Sequence, residues 1–222
     1  MNKIFIYILS IVMLFVSCEK DFIPSLCGSE SNHEYVHLGL SVNWATCNVG
    51  ASQPEEYGDY FAWGEISPKS TYDWSTYKWC RVDWYNLTKY CTKSDYGTVD
   101  NKTKLDLSDD AAHVNWGGSW RMPTHDELTE LREKCTWTWT TQNGVKGYKV
   151  TSKTNGRSIF LPAAGCCYGS SLSYAGSSGY YWSSSLNTDS PYGARCVGIG
   201  LSNVDWYYFD RDPGRSVRPV CP

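Results

Sequence analysis

Residues 120–128, Trp-Arg-Met-Pro-Thr-His-Asp-Glu-Leu, carry the clearest local signal in this 222-residue chain. Thr124 and Glu127 have the spacing of a capping box, and acidic residues fill the first turn, where the helix dipole favours them. Leu128 and Leu131 then fall on one face. These features predict a helix over residues 125–134.

Strand signals follow this helix directly. Residues 136–140, Thr-Trp-Thr-Trp-Thr, place both indoles on one side of a strand. Asn-Gly pairs at 143–144 and 155–156 are strong hairpin turns. The pattern predicts an antiparallel meander over residues 136–141, 146–152 and 158–162. It also predicts that Trp137 and Trp139 pack in the sheet or the core.

Upstream of the helix the strand signals are shorter. Residues 35–46 alternate in pieces broken by glycine and predict two tightly joined strands, and the aromatic stretch 58–64 predicts another. Residues 108–110, Ser-Asp-Asp, offer N-cap chemistry for a short helix from Ala111. Residues 66–105 lack a sustained period and predict a loop-rich insertion. The chain is therefore predicted to be α+β, with short antiparallel strands and two helices.

The amino terminus has the pattern of an export signal. A positively charged start precedes an apolar run from Ile4 to Val16, which is too short to cross a bilayer as a helix. The run ends at a lipobox-like Leu-Phe-Val-Ser-Cys, which predicts a signal peptide over 1–17, lipidation of Cys18 and a tether over 18–34. We expect an outer-membrane lipoprotein that is exposed at the cell surface. An ordinary secretory signal, with Cys18 a bystander, is the alternative.

The charge balance narrows the range of partners. The formal net charge is −3, whereas a nucleic-acid-binding domain carries a basic face. We expect no nucleic-acid partner and contact with the membrane only through the N-terminal lipid.

Ten cysteines are many for a chain of this size. Export permits disulfides, and Cys80 with Cys91 is the most plausible local pair. With Cys18 set aside an odd number remains, so at least one thiol is free or intermolecular. Metal binding is the weaker alternative, because there is no CxxC pair and the histidines are scattered.

The C-terminal segment has an unusual composition, with no Lys, Glu, Gln or Met from Thr154 to Pro222. Alternation predicts that Val197, Ile199, Leu201, Val204 and Trp206 face inward, and that Cys196, Gly198, Gly200, Asp205 and Tyr207 face outward. Framework strands at 180–184 and 216–221 would hold both ends. The candidate ligand-binding residues are Tyr192, Arg195, Cys196, Gly198, Ser202, Asn203, Asp205, Tyr207, Tyr208, Phe209, Asp210 and Asp212.

Six short motifs occur in order along the chain: WATCNVG at 44–50, GDYFAWGE at 58–65, GGSWRMPT at 117–124, LPAAG at 161–165, GYYWSS at 179–184 and SVRPV at 216–220. Together they resemble the Fibrobacter succinogenes major paralogous domain family. The resemblance covers nearly all of residues 35–222. It implies a single domain with a C-type-lectin-like fold, related to formylglycine-generating-enzyme-type domains.

The chain also resembles the variable proteins of diversity-generating retroelements, which place a hypervariable C-terminal segment on this fold. That resemblance implies a variable binding segment over residues 187–214. Adenine-directed changes in AAC codons reach Tyr, Ser, Asp, Gly, Arg, Cys and Phe, but never Lys, Glu, Gln, Met or Trp. The outward residues contain none of those five. Because Lys and Glu are disfavoured in strands and glycine-rich turns anyway, ordinary composition remains an alternative.

These observations favour a binding protein over an enzyme. An aromatic face amid Gly and Ser is typical of an antibody-like paratope, and its ligand would be an unknown protein or glycan at the cell surface. A glycan-binding lectin and a structural surface protein are the alternatives, and a formylglycine-generating type of enzyme ranks below them. No cofactor is expected. Calcium could bind Asp205, Asp210 and Asp212, but the lectin calcium motifs are missing.

Overall fold

Small antiparallel sheets and two α-helices make up the part of the chain that the structure, a computed structural model, describes, residues 27–222. The predicted signal peptide, Cys18 and residues 18–26 of the predicted tether lie outside the described residues. The α+β class is confirmed. Within residues 27–222, every helix is too short or too polar to cross a membrane.

The elements are, in chain order, β1 (Cys27–Glu30), β2 (His33–Val36), β3 (Asn43–Ala45), α1 (Ala111–Trp116), α2 (His125–Lys134), β4 (Cys135–Gln142), β5 (Val145–Ser152), β6 (Ser158–Pro162), β7 (Cys166–Tyr168), β8 (Ser171–Ser173), β9 (Ser178–Leu186), β10 (Gly193–Gly200), β11 (Asn203–Asp210) and β12 (Val220–Cys221). The sheets have the orders β1-β2-β3-β12, β4-β5-β6, β7-β8 and β11-β10-β9. Because β12 pairs with β3, the two ends of the domain lie in one sheet.

The helix and the meander are confirmed. Thr124 Oγ1 accepts a hydrogen bond from Glu127 N at 3.2 Å, and Thr124 N donates to Glu127 Oε2 at 2.8 Å, so the capping box is complete. Strands β4, β5 and β6 follow it with tight turns. Trp137 and Trp139 are half-buried and pack edge-on against Tyr148, at 5.7 and 5.2 Å between ring centroids.

The strand predicted at 58–64 and the end predicted for the tether are wrong. Residues 58–64 form no strand: Phe61 makes a single bridge to Arg215, and Gly58 and Gly64 have φ angles of 71° and 79°, which interrupt the extended backbone. The predicted tether overlaps β1 and β2 over 27–34. This hairpin is fixed to the domain because Glu30 accepts hydrogen bonds from Ser119 N and Oγ.

The expected Cys80–Cys91 bridge is also wrong. In the described residues eight cysteines are free, at positions 47, 80, 91, 135, 166, 167, 196 and 221. Cys80 Sγ donates to Trp74 O and Cys91 Sγ to Lys93 O. The insertion is closed instead by Asp100, whose carboxylate accepts from the backbone N–H groups of Tyr90 and Cys91, both at 2.9 Å.

Sheet β11-β10-β9 separates two halves of the core. Trp182 and Cys196 belong to the apolar cluster on one side, and Val197 and Ile199 to the cluster on the other. Its middle strand, β10, is therefore packed on both faces. This is the sheet that carries most of the candidate binding residues.

Three fully buried arginines, Arg211, Arg215 and Arg218, hold the segment that follows β11. The hydrogen bonds of Arg218 span the domain: Nε donates to Asn48 Oδ1 at 2.9 Å, Nη1 to Ala45 O and Thr46 O, and Nη2 to Phe160 O at 3.0 Å. Within residues 27–222, no carboxylate lies at ion-pair distance from any of the three.

We expect Arg218→Met to lower the free energy of unfolding by about 3 kcal/mol or more, because it leaves buried oxygens without donors. Urea denaturation measures this. Arg81→Met, at an exposed position, is the matched control and should change stability by less than about 0.5 kcal/mol. Equal stability of the two variants would show that the Arg218 contacts do not hold the fold.

Candidate functional site

The candidate residues centre on the β10–β11 hairpin. Its register runs without a bulge from Gly193 opposite Asp210 to Gly200 opposite Asn203, and Leu201 and Ser202 form the exposed two-residue turn. Strand β9 pairs with the other side of β10.

Alternation divides the hairpin into two faces. The first, which we call the tyrosine face, carries Tyr180, Gly198, Asp205, Tyr207 and Phe209. The second, which we call the helix face, carries Arg195, Val204, Trp206 and Tyr208. The candidate residues of the hairpin therefore divide between opposite sides of the sheet, and the expectation of one continuous binding surface is wrong.

A row of aromatic rings covers the tyrosine face. The rings of Tyr207 and Phe209 lie 5.2 Å apart with planes 22° from parallel, and Tyr180 meets Phe209 edge-on at 5.5 Å. Behind the row lies the buried Arg215 guanidinium, 4.0 Å from the Phe209 centroid and 5.1 Å from that of Tyr180. A cation held against ring faces in a dry site is attracted by the ring quadrupoles. Arg215 thus fixes the row from beneath.

The hydrogen bonding of Arg215 is incomplete. Nη2 donates to Tyr168 Oη at 3.3 Å, while Nε and Nη1 have no partner among the described residues. The ring contacts to Phe209, Tyr180 and Trp182 therefore dominate its environment. Sequence reasoning missed this residue, because an arginine before a framework strand gives no sign that aromatic rings will surround it.

Polar groups surround the row near the hairpin turn. Asn203 Nδ2 lies 3.3 Å from both Asp205 Oδ2 and Tyr207 Oη. The Tyr207 ring packs over Gly198, where an added Cβ would lie 2.8 Å from two ring carbons. A shallow cavity of about 130 Å³ opens beside this ring. Tyr207 therefore combines a fixed ring with adjacent donors and acceptors.

The helix face is largely covered. Trp206 packs against His125 of α2 at 4.5 Å, with the Arg132 guanidinium 5.2 Å from its ring. Burial lowers the pKa of His125, and Arg195 nearby adds to the effect. Tyr208 remains 56% exposed. The predicted inward orientation of Val204 and Trp206 is confirmed by their packing against the core.

Several sequence-based assignments need correction. Cys196 was expected to face outward but has 0% exposure, because the second face of β10 is also covered. Leu201 was expected to face inward but is 72% exposed in the turn. Gly198 lies under Tyr207, and Asp212 is buried. Tyr192 leaves the hairpin surface and packs with Trp84 and Tyr96 of the insertion, at 5.1 and 5.6 Å. Ser202, Asn203, Asp205, Tyr208 and Asp210 are exposed as expected.

Residues 27–222 contain no candidate metal centre. No three His, Cys, Asp or Glu side chains there come together as metal ligands, so Asp205, Asp210 and Asp212 do not form a calcium cluster. A cavity of about 680 Å³ is lined in part by His33 and Cys47. Burial lowers the pKa of His33 and raises the pKa of the Cys47 thiol, so this thiol is not activated.

No family model, curated protein or solved structure matches the chain. The assignment of the site therefore depends on its own geometry.

Asp212, buried two residues after β11, gives the fold a pH-dependent element. Burial, with Asp210 nearby, raises the pKa of Asp212 to about 7. Its Oδ1 has no hydrogen-bond partner in the described residues. A carboxyl whose pKa is higher in the folded state binds its proton more tightly when folded, so this group reduces stability as the pH rises.

We expect the free energy of unfolding of the wild type, relative to Asp212→Asn, to fall between about pH 4 and pH 7, by at most about 1.4 kcal/mol per pH unit. Urea denaturation of both proteins at each pH measures the difference. Parallel stability curves would show that Asp212 ionises as readily in the folded chain as in the unfolded one.

Proposed function

We propose that this chain is a non-catalytic binding protein, anchored to the outer membrane through a lipid on Cys18, whose tyrosine face binds an external protein or glycan. The observation that carries the proposal is the row of Tyr180, Tyr207 and Phe209 held over the buried Arg215. No cofactor is part of the proposal.

The physical case depends on preorganisation. Ordering side chains on binding costs about 0.5–1.5 kcal/mol for each flexible group. Rings already stacked on one another and on a buried cation avoid much of that cost. Partly exposed Tyr207 and Phe209 supply contact area, and exposed Asn203 and Asp205 supply adaptable polar groups beside them.

We also propose that the chain has a C-type-lectin-like fold and is a member of the Fibrobacter succinogenes major paralogous domain family. The six motifs support it, as does an antiparallel α+β architecture whose first and last strands share a sheet. The first and the last of these motifs are joined by buried hydrogen bonds. Ala45, Thr46 and Asn48 of the first accept hydrogen bonds from Arg218 of the last.

Diversification of residues 187–214 is a further part of the proposal, in a narrower form. Exposed positions 202, 203, 205 and 208 have no buried partner that would forbid change, whereas Tyr207 is half-buried over Gly198. Cys196, Gly198, Arg211 and Asp212 fall in the same segment but are enclosed. Only the first group suits a variable surface.

A glycan ligand is the alternative that one specific observation supports. The Tyr207 hydroxyl, the Asn203 amide and the Asp205 carboxylate lie together beside an aromatic ring. Sugars combine an apolar face, which suits a ring, with hydroxyls, which suit amide and carboxylate groups. A protein ligand would instead use the whole row.

We expect a ligand selected from an array of purified glycans and extracellular proteins to lose at least tenfold in affinity for Tyr207→Ala, which is about 1.4 kcal/mol. The full chain, purified in detergent, is the protein tested. Tyr208→Ala is the matched control, because it removes an adjacent tyrosine from the opposite face of the same strand; it should change affinity by less than about fivefold.

Equal loss in both variants, or no loss in either, would contradict a site on the tyrosine face. A selected set made up only of glycans would favour the lectin alternative.

Diversification by a retroelement is tested on DNA. We expect a near-copy of the 3′ end of the gene, differing from it only at adenines, beside a reverse transcriptase gene. Sequencing the flanking region decides this, and an unaccompanied gene would leave the segment with an ordinary fixed sequence.

A further inference from the structure

Strand β11 lies at an open edge of its sheet. The order β11-β10-β9 leaves one side of β11 without a neighbour, and no isolated bridge of the described residues involves it. In an antiparallel pair, successive residues direct their backbone groups alternately toward and away from the partner strand. Arg211 N donates to Tyr192 O, which sets the phase of this alternation.

That phase identifies the open backbone groups. Asn203, Asp205, Tyr207 and Phe209 bond toward β10, so the N–H and C=O groups of Val204, Trp206, Tyr208 and Asp210 point away from it. No backbone or side-chain hydrogen bond among the described residues reaches these outward groups. These four alternate residues can therefore form backbone hydrogen bonds with an added strand.

The edge lacks several of the devices that commonly prevent such pairing. Proteins commonly block open edges with lysine, proline, a bulge or a covering loop. Strand β11 contains no lysine and no proline, and its register with β10 is regular over eight residue pairs. An edge of this length and regularity suits the addition of a strand.

Charge distinguishes the two sides of an added strand. Beside the tyrosine face lies exposed Asp205, which has no cation at ion-pair distance in the described part of the chain. Beside the helix face lie Trp206 and Tyr208, with the Arg132 guanidinium over the Trp206 ring; exposed Asp210, the second acid of β11, lies at the end of the strand. An added strand would match these surfaces if its basic residues lay beside the tyrosine face and its apolar residues beside the helix face.

We propose that the open edge of β11 binds an extended peptide in which basic and apolar residues alternate, as a fourth strand of the sheet. The basic residues lie beside Asp205 and the apolar ones beside Trp206 and Tyr208. This inference rests on the proposed function, because it names the partner class and the binding mode of the same hairpin.

The test uses an acetylated and amidated octapeptide of alternating lysine and valine, labelled for fluorescence anisotropy, with the full chain in detergent. Tyr208→Pro removes an outward N–H, and proline is tolerated on an edge strand where the N–H faces solvent. We expect Tyr208→Pro to weaken binding at least tenfold. Tyr208→Ala keeps the backbone donor and should weaken binding at most about fivefold, the range of one cross-strand side-chain pair.

A second readout uses the wild type alone, so it does not depend on the fold of the proline variant. We expect the peptide to slow amide hydrogen exchange at Val204, Trp206, Tyr208 and Asp210, resolved by NMR. The alternate amides already bond to β10 and should change little. A side-chain contact without strand addition would not give this alternation.

Three results would overturn the inference. The first is unchanged exchange at the four amides under saturating peptide. The second is equal binding of an alternating glutamate–valine octapeptide. The third is protection that rises with protein concentration without peptide, since a second copy of the chain would then occupy the edge. If Tyr207→Ala still abolishes ligand binding in any of these cases, the proposed function stands and only the strand-addition mode fails.

Discussion

The hydrogen bonds of the buried Arg218 guanidinium are the interaction on which the structure depends. They join the segment just before β12 to residues 45–48 and to β6, and so hold the C-terminal segment against two sheets. Burying an uncompensated charge is costly, and for Arg218 four hydrogen bonds to oxygens offset that cost. Arg211 makes similar bonds toward the insertion, to Lys89 O and Tyr90 O, while its Nε has no partner among the described residues. Residues 211–221 are thereby held in place while the hairpin before them stays at the surface.

Arg215 connects this framework to the candidate site. Its guanidinium is buried with the framework, yet its closest ring contact is Phe209 of the exposed hairpin. The same buried segment that stabilises the domain therefore also fixes the aromatic row. In this arrangement the surface positions of β11 can differ in sequence without disturbing the backbone, because the side chains that determine its position lie elsewhere. That separation is what a binding surface on a rigid scaffold requires.

Local signals made part of this architecture predictable. The capping box at Thr124 and the two Asn-Gly turns act within a few residues, and α2 and the β4–β6 meander follow from them. Long-range contacts explain the errors. Alternation alone cannot reveal that Cys196 is covered by a second core cluster. Nor can it reveal that Arg218 bonds to backbone oxygens as many as 173 positions away. The tyrosine face was predicted in part, since Asp205 and Tyr207 were expected to face outward and Phe209 was a candidate binding residue, but the supporting Arg215 was missed.

The most direct test of the central claim is saturation substitution of residues 193–218, read out as protease-resistant display of the full chain. The claim is that this one segment contains both positions that the fold fixes and surface positions that can be replaced. We expect broad tolerance at Asn203, Asp205 and Tyr208, and intolerance at Cys196, Arg211, Arg215 and Arg218. Uniform tolerance along the segment would contradict the account, as would intolerance at the exposed β11 positions equal to that at the buried arginines.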